Sequence, residues 1–177
     1  MTFLLALLLH AAVPRERAVL VYPREHAWFH RLFYNAHQNA LQRELEKRFT
    51  LDVHRQVGSA SALFDIDVRG AELLVLSGHG SPFAMSLGKR GERTLDSRQF
   101  DRLRAFFDQL APDATIILQS CDTGLGFAWI VKRAAGPNRH VFAAEGEIPR
   151  DGLQITSLAP LDVTITCDDG RDCTLRL

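Results

Sequence analysis

The segment ELLVLSGHG, residues 72–80, carries the clearest fold signal in the chain, and the segment ATIILQSCDTG, residues 114–124, has the same pattern. Each segment is an uninterrupted apolar run that ends in small polar residues and glycine. Such runs are typical of strands that are buried on both faces, as the strands of a parallel sheet are. We therefore expect two adjacent parallel strands, one leading to His79 and the other to Cys121.

The two strand ends bring together residues with complementary chemistry. Adjacent parallel strands end at the same edge of the sheet, and open α/β sheets bind their ligands in the crevice at that edge. A thiol at Cys121, an imidazole at His79 and nearby glycines are the components of a cysteine nucleophile site. Taken singly, a cysteine after a strand is most often a small buried hydrophobe, and His-Gly is most often a turn. Their occurrence after two strands of the same kind favours a catalytic pair.

This order of motifs resembles the caspase-like cysteine peptidases, the superfamily that holds caspases, gingipains, clostripain and separase. A strand precedes Ser/Gly-His-Gly, and a second strand precedes Ser-Cys-x-Thr-Gly at residues 120–124. These residues, with Gly126 and an apolar helix after them, are most similar to the bacterial CHAT-domain branch. The cysteine follows the histidine by 42 residues, close to the separation of about 50 in caspases. The resemblance covers roughly residues 17–146, although the Gln-Ala-Cys-x-Gly of caspases is absent.

The resemblance implies a cysteine endopeptidase that hydrolyses peptide bonds through a thioester acyl-enzyme. Cys121 would attack the scissile carbonyl, and His79 would act as acid for the leaving amine and then as base for water. The backbone N–H groups of Gly80 and Cys121 would bind the oxyanion. We expect a protein or peptide substrate and no cofactor. The alternative is a non-catalytic caspase-like module that binds a peptide or partner, or a flavodoxin-like binding domain in which Cys121 is structural.

Carboxylates near the expected crevice suggest a substrate preference. Asp122 follows the nucleophile directly, and Glu145 and Glu147 follow a later strand at residues 139–144. Relatives that cleave after Arg or Lys use acids to hold that side chain, so we expect Asp122 and Glu145 to bind a basic residue before the scissile bond. The alternative is that Asp122 caps the following helix and that the glutamates are merely solvated.

Composition and charge restrict the other function classes. The chain has 177 residues, of which 46% are hydrophobic, and this suits one domain with a full core. Its 21 basic and 21 acidic residues are interleaved, which argues against binding to nucleic acid. No glycine-rich phosphate loop precedes a helix, so no nucleotide is expected. No metal site is expected either, because neither the helix histidines at 26, 30 and 37 nor Cys167 and Cys173 have the further ligands they would need.

The amino terminus and the last two cysteines bear on the compartment. Residues 3–9 are apolar and residues 10–12 offer a cleavage site, which resembles a brief secretory signal and is too short for a membrane span. We expect a signal peptide over residues 1–13, one peptidase domain over residues 14–177, and export to the periplasm or medium; the alternative is a cytoplasmic protein. Cys167 and Cys173 flank a turn and could form a disulfide after export, which would leave Cys121 as the odd thiol. The oligomeric state is not specified by the sequence.

Helical periodicity and turn residues complete the predicted order of elements. The expected elements are a strand at 18–22, a helix whose apolar face runs from Phe29 to Phe49, an edge strand at 51–55, a helical turn at 60–64, a helix that begins with a capping box at Asp96 and Gln99, a helix at 125–135, and a hairpin of 163–166 with 174–177. Strands that alternate with helices predict a three-layer α/β/α sandwich. Its sheet would have five to six mainly parallel strands, with the antiparallel hairpin at the carboxyl terminus.

Overall fold

A six-stranded, mainly parallel sheet organises the chain in the computed structural model, which describes residues 15–24, 39–88, 94–149 and 151–177. The strands are β1 (Glu16–Pro23), β2 (Phe49–Val57), β3 (Leu73–Ser77), β4 (His79–Ser81), β5 (Ala84–Ser86), β6 (Thr94–Leu95), β7 (Thr115–Gln119), β8 (His140–Ala144), β9 (Leu153–Leu158), β10 (Leu161–Ile165) and β11 (Thr174–Arg176). The helices are α1 (described over residues 39–45), α2 (Ala60–Phe64), α3 (Phe100–Phe107) and α4 (Phe127–Ala135). The expected signal segment and the three helix histidines lie outside the described residues.

The strand order of the main sheet is β2-β1-β3-β7-β8-β11. Neighbours from β2 to β8 are parallel, and β11 pairs antiparallel with β8 at the edge. Counting only the parallel strands, this is the doubly wound order 2-1-3-4-5. The prediction of a mainly parallel α/β sheet with five to six strands is confirmed, as is the placement of β2 at an edge.

Both faces of the central strands are buried, which explains their continuous apolar sequence. Because successive side chains of a strand point to opposite faces, each strand contributes to two apolar clusters. One cluster packs the sheet against α2, α3 and α4, and the other packs it against α1 and the β9–β10 hairpin. Leu74, Leu76 and Ile116 face the first cluster, whereas Val75 and Ile117 face the second. Full burial of one such side chain contributes about 1.5–3 kcal/mol.

The predicted carboxyl-terminal hairpin is wrong in its strand partners. Residues 163–166 and 174–177 form no ladder with each other, and the turn between them carries one isolated bridge, Thr166 with Asp172. Instead β10 pairs with β9, and β11 pairs with β8. The reason is that β8 would otherwise leave an open edge on the main sheet, which β11 covers, while Val163 and Ile165 are buried beneath that sheet.

Two helix boundaries also differ from the sequence prediction. Phe49 begins β2 rather than ending the first helix, and its side chain is buried in the same cluster as Leu41 and Leu45. Helix α4 begins at Phe127 rather than at residue 125, because a 3-10 turn, Thr123–Leu125, intervenes after Cys121.

The helical turn at α2 and the start of α3 agree with the sequence prediction. Asp96 accepts a hydrogen bond from the Arg98 backbone N–H at 2.8 Å, and the Gln99 side chain accepts one from the Asp96 N–H at 2.8 Å. This reciprocal pair is a capping box, and it opens a 3-10 turn that continues into α3. Within the described ranges, no helix is both long enough and apolar enough to cross a bilayer.

Candidate active site

The ends of β3 and β7 are adjacent and fixed in register. Ser77 of β3 lies opposite Gln119 of β7. The Ser77 hydroxyl donates to Gln119 Oε1 at 2.5 Å, and the Gly78 N–H donates to the Gln119 carbonyl at 3.2 Å. Because Gly78 precedes His79 directly and Cys121 lies two residues beyond Gln119, the two predicted site residues follow neighbouring strand ends, as expected.

Beyond His79, the chain passes directly over the backbone of Cys121. A Cβ atom placed on Gly80 would lie 1.8 Å from the Cys121 carbonyl oxygen and 2.9 Å from the Cys121 nitrogen. No side chain fits in that space, so only glycine allows the approach. The same contact ties the antiparallel sheet of β4, β5 and β6, which begins at His79, to the turn that carries Cys121.

The turn after Cys121 is held by three polar contacts. Asp122 adopts a left-handed backbone with φ of 56°, a conformation that Asp tolerates better than most residues. Its N–H donates to the Gly146 carbonyl at 2.9 Å. On the inner side, the buried hydroxyl groups of Ser120 and Thr123 lie 3.2 Å apart, and Thr123 donates to the Ser120 carbonyl at 3.1 Å.

The thiol of Cys121 is half-buried and contacts the segment after β8. The Ile148 N–H donates to Cys121 Sγ at 3.5 Å, and the Ile148 carbonyl lies 4.0 Å from the same sulfur. The His79 residue is exposed, and no hydrogen bond joins its ring to the thiol within the described part of the chain. The structure therefore brings the two predicted residues to one edge of the sheet, without a hydrogen bond between the imidazole and the sulfur.

One backbone N–H group next to the sulfur has no acceptor among the described residues. In the described ranges, the Cys121 N–H has no hydrogen-bond acceptor, and Gly80 lies directly against it. A buried or half-buried N–H without a partner is uncommon in folded proteins. Such a donor can bind a developing negative charge without first breaking another hydrogen bond.

The predicted substrate-binding acids, Asp122 and Glu145, lie in or against the turn after Cys121, and one alternative for them is wrong. Asp122 makes no side-chain capping bond to the 3-10 turn that follows it, so its carboxylate is not used as a helix cap. Glu145 and Glu147 are exposed, while their backbones are held by bonds to Cys173 and Asp168, both at 2.9 Å. These bonds involve backbone groups alone, so they leave the two carboxylates unused.

An apolar surface beside the crevice was not predicted from the sequence. Phe83, Leu125 and Trp129 are 76%, 55% and 54% exposed, and they are the large exposed hydrophobic residues of the described chain. They surround Gly126, where an added Cβ would lie 2.3 Å from the Pro82 carbonyl and 3.8 Å from Phe83 Cδ1. The sequence does contain a signal for this surface, because Phe83 and Leu125 each follow a predicted site residue by four positions.

A groove of about 620 Å³ lies at the opposite edge of the sheet, before the starts of β7 and β8. Its Arg139 side chain donates to the carbonyls of Leu110, Ala111 and Ala135 at 2.7–3.1 Å. These bonds tie the carboxyl end of α4 to the segment that follows α3, so the arginine has a structural role there. Across the residues that the structure describes, no three His, Cys, Asp or Glu side chains are grouped so as to hold a metal ion.

Comparison with known proteins gives no family. The chain matches no protein-family model and has no significant similarity to a curated protein. The functional argument therefore depends on the residues themselves and on their geometry.

Proposed function

We propose that this protein is a cysteine endopeptidase that hydrolyses peptide bonds with His79 and Cys121 through a thioester acyl-enzyme. The observation that carries the proposal is the contact of Gly80 with the Cys121 backbone. It joins the ends of two neighbouring strands, one bearing an imidazole and the other a thiol, at the edge where α/β sheets bind ligands. It also accounts for a glycine immediately after the histidine.

In the proposed mechanism, His79 takes the thiol proton of Cys121, and Sγ attacks the carbonyl carbon of the scissile bond; the C–S bond forms as the carbonyl oxygen becomes negative. The N–H groups of Gly80 and Cys121 bind that oxyanion, and loss of one such donor typically raises the barrier by about 2.7–4 kcal/mol. His79 gives a proton to the departing amine, and the C–N bond breaks to leave a thioester. His79 then takes a proton from the water molecule that attacks the thioester. The C–S bond breaks, the carboxylic acid product leaves, and His79 returns the proton to the sulfur.

The sheet supports a caspase-like, three-layer α/β/α domain as the fold of this peptidase. The resemblance implies parallel strands that alternate with helices. The observed strand order and the apolar clusters on both faces agree with such a sandwich. The β9–β10 hairpin is an addition, because it covers part of the face that α1 also covers.

Charge supports a basic residue before the scissile bond. The carboxylate of Asp122 follows the nucleophile, and the exposed Glu145 leaves the carboxyl end of β8. The approach of Glu145 to the turn is close, because a Cβ on Gly124 would lie 2.9 Å from Glu145 Cγ. An arginine or lysine side chain of a peptide would therefore meet two acids near the reacting sulfur.

We also propose that the protein is exported to the periplasm or the medium, with a cytoplasmic location as the alternative. Cys167 and Cys173 are bonded to each other, with Cα atoms 5.8 Å apart, and disulfides persist mainly in oxidising compartments. The remaining thiol of the described chain is Cys121.

A non-catalytic binding module is the second candidate, and one observation favours it. The thiol contacts Ile148 rather than the imidazole of His79. The experiment that separates the two functions is cleavage of a mixed peptide library, run in parallel with a thiol-reactive peptidyl probe. Wild-type protein that cleaves and labels, with both lost in Cys121→Ala, supports the peptidase; wild-type protein that does neither supports the binding module.

A further inference from the structure

Residues 145–148, here called the strap, lie between the candidate nucleophile and the disulfide. On the side of the nucleophile, the Ile148 N–H donates to Cys121 Sγ at 3.5 Å. The Gly146 carbonyl accepts the Asp122 N–H at 2.9 Å, which ties the strap to the residue next to the nucleophile. The strap thus fixes both the sulfur and the turn that carries it.

On its other side, the strap is held by the disulfide-bonded turn. The Glu145 N–H donates to the Cys173 carbonyl at 2.9 Å, and the Asp168 N–H donates to the Glu147 carbonyl at 2.9 Å. Between these bonds, Gly146 packs directly on the bridge, since a Cβ on it would lie 2.5 Å from Cys167 Sγ. The strap therefore has no room to move towards the disulfide.

The disulfide is itself anchored. Cys167 and Cys173 are 4% and 6% exposed and belong to the apolar cluster beneath the main sheet. The Cys167 N–H donates to the Arg171 carbonyl and the Cys173 N–H to the Ile165 carbonyl, each at 2.9 Å. A continuous set of short contacts thus leads from the sheet, through the bridge and the strap, to the thiol.

We propose that the Cys167–Cys173 disulfide is a positioning element for Cys121 and acts through Gly146 and Ile148 of the strap. Without the covalent bond, the two sulfur atoms separate to van der Waals distance and Cys167 Sγ can no longer support Gly146 in its place. The strap then loosens, the Ile148 N–H leaves the sulfur, and Cys121 becomes more accessible but less well placed. The part of this inference that concerns turnover rests on the proposed peptidase function; the part that concerns thiol access does not.

Two opposite changes follow, and together they distinguish positioning from a general loss of structure. Alkylation of Cys121 by iodoacetamide rises several-fold when the bridge is absent, because the strap no longer covers the sulfur. Peptide turnover falls by about ten- to a hundredfold, because displacement of a reacting group by about 1 Å can lose that much. A bridge that only stabilises the fold changes neither rate while the protein stays folded.

The test uses the full chain with Cys167→Ser and Cys173→Ser combined, and Gly146→Ala as a second variant. Gly146→Ala keeps both bridge cysteines but places a methyl group 2.5 Å from Cys167 Sγ, so it displaces the strap from an intact disulfide. The matched control is Gly58→Ala, whose added Cβ would lie 3.3 Å from Arg24 Cδ and at ordinary contact distance, 3.9 Å, from the Gln56 carbonyl oxygen. Cys121 alkylation is followed by mass spectrometry, turnover by library cleavage, and folding by circular dichroism.

We expect faster alkylation and slower turnover in the bridge-free variant. In Gly146→Ala we expect slower turnover and slower alkylation, because its methyl group pushes the strap away from the intact disulfide and onto the thiol. The control should keep wild-type rates. A folded bridge-free variant whose Cys121 is alkylated at the wild-type rate or more slowly would overturn the proposal. If the bridge-free variant does not fold, Gly146→Ala decides, and a folded alanine variant with wild-type alkylation would overturn the proposal. If the wild type cleaves no peptide, the proposed function fails, while the alkylation rates still decide whether the bridge controls access to the thiol.

Discussion

Gly80 lies against Cys121 so closely that a single methyl group on Gly80 would fall 1.8 Å from the Cys121 carbonyl oxygen. The atom it would meet is backbone, which cannot rotate away. This contact fixes the relation between the two strand ends, and it makes Gly80 the most sensitive glycine of the candidate site.

Gly80→Ala is expected to lower peptide turnover by about a hundredfold, because the two strand ends must separate by roughly an ångström. It is expected to lower the free energy of unfolding by about 1–3 kcal/mol, the usual effect of overpacking. Turnover and urea unfolding measure the two effects, with Gly58→Ala as the control. An alanine variant with wild-type turnover would show that the Gly80–Cys121 contact has no part in catalysis.

If His79 and Cys121 act as one catalytic unit, the effects of their substitutions on turnover should not be additive. Cys121→Ala should abolish formation of the acyl-enzyme, because no neighbouring group replaces the sulfur. His79→Ala should reduce turnover severely and leave the thiol open to alkylation. The double variant should lose scarcely more than Cys121→Ala alone, since members of one catalytic unit do not act additively. Library cleavage and probe labelling measure these effects, and undiminished cleavage by Cys121→Ala would exclude the mechanism.

Asp122 combines a carboxylate with a left-handed backbone, and two substitutions separate these properties. Asp122→Gly and Asp122→Ala both remove the charge, so both should lose preference for Arg or Lys before the scissile bond. Alanine fits the φ of 56° poorly, and Asp122→Ala should be less stable than Asp122→Gly by about 1 kcal/mol. Cleavage profiles and thermal unfolding measure the two effects. A retained basic preference in both variants would remove Asp122 from the specificity site.

Acidification should destabilise the start of α3, because the Asp96 carboxylate becomes protonated. Hydrogen bonds from Arg98 hold the pKa of this carboxyl below its usual range. Because the folded pKa lies below the unfolded value of about 3.9, the stabilisation is full above that value and is lost as the pH falls through the folded pKa. Asp96→Asn should therefore flatten the pH dependence of stability below about pH 4. The control is Asp65→Asn, since Asp65 is exposed and forms no ion pair with another described residue.

If the protein is exported, its amino terminus and its disulfide should both be in defined states. The purified exported protein should begin near residues 12–14, and Cys167 and Cys173 should resist alkylation until they are reduced. Loss of the bridge should lower the free energy of unfolding by about 2 kcal/mol, as expected for a short closed loop. Intact-mass analysis with and without reductant checks both points. An intact Met1 together with three free thiols would assign the protein to the cytoplasm.

Features encoded in short segments could be predicted from the sequence. The apolar runs of β3 and β7 specify burial on both faces, and the box of Asp96 and Gln99 specifies a helix start, because each depends only on nearby residues. The adjacency of His79 and Cys121 followed from the same local signal and the rule that parallel strands end at one edge.

Features that depend on distant partners could not be predicted. Phe49 continues a helical pattern, but burial against the sheet places it in a strand. The pairing of β11 with β8 and the contact of Ile148 with the thiol join segments far apart in the chain. An edge strand or a loop often has several compatible partners. Tertiary packing decides which partner it takes, and local propensity carries no information about that choice.

The exposed indole of Trp129, set in the apolar surface with Phe83 and Leu125 beside the crevice, gives the protein an optical reporter of its own. The chain has two tryptophans, so Trp28→Phe leaves Trp129 as the sole indole emitter. An indole that passes from water into contact with an apolar side chain emits at shorter wavelength. Occupancy of this surface can therefore be followed by intrinsic fluorescence in real time, even in Cys121→Ala, where no bond is cleaved.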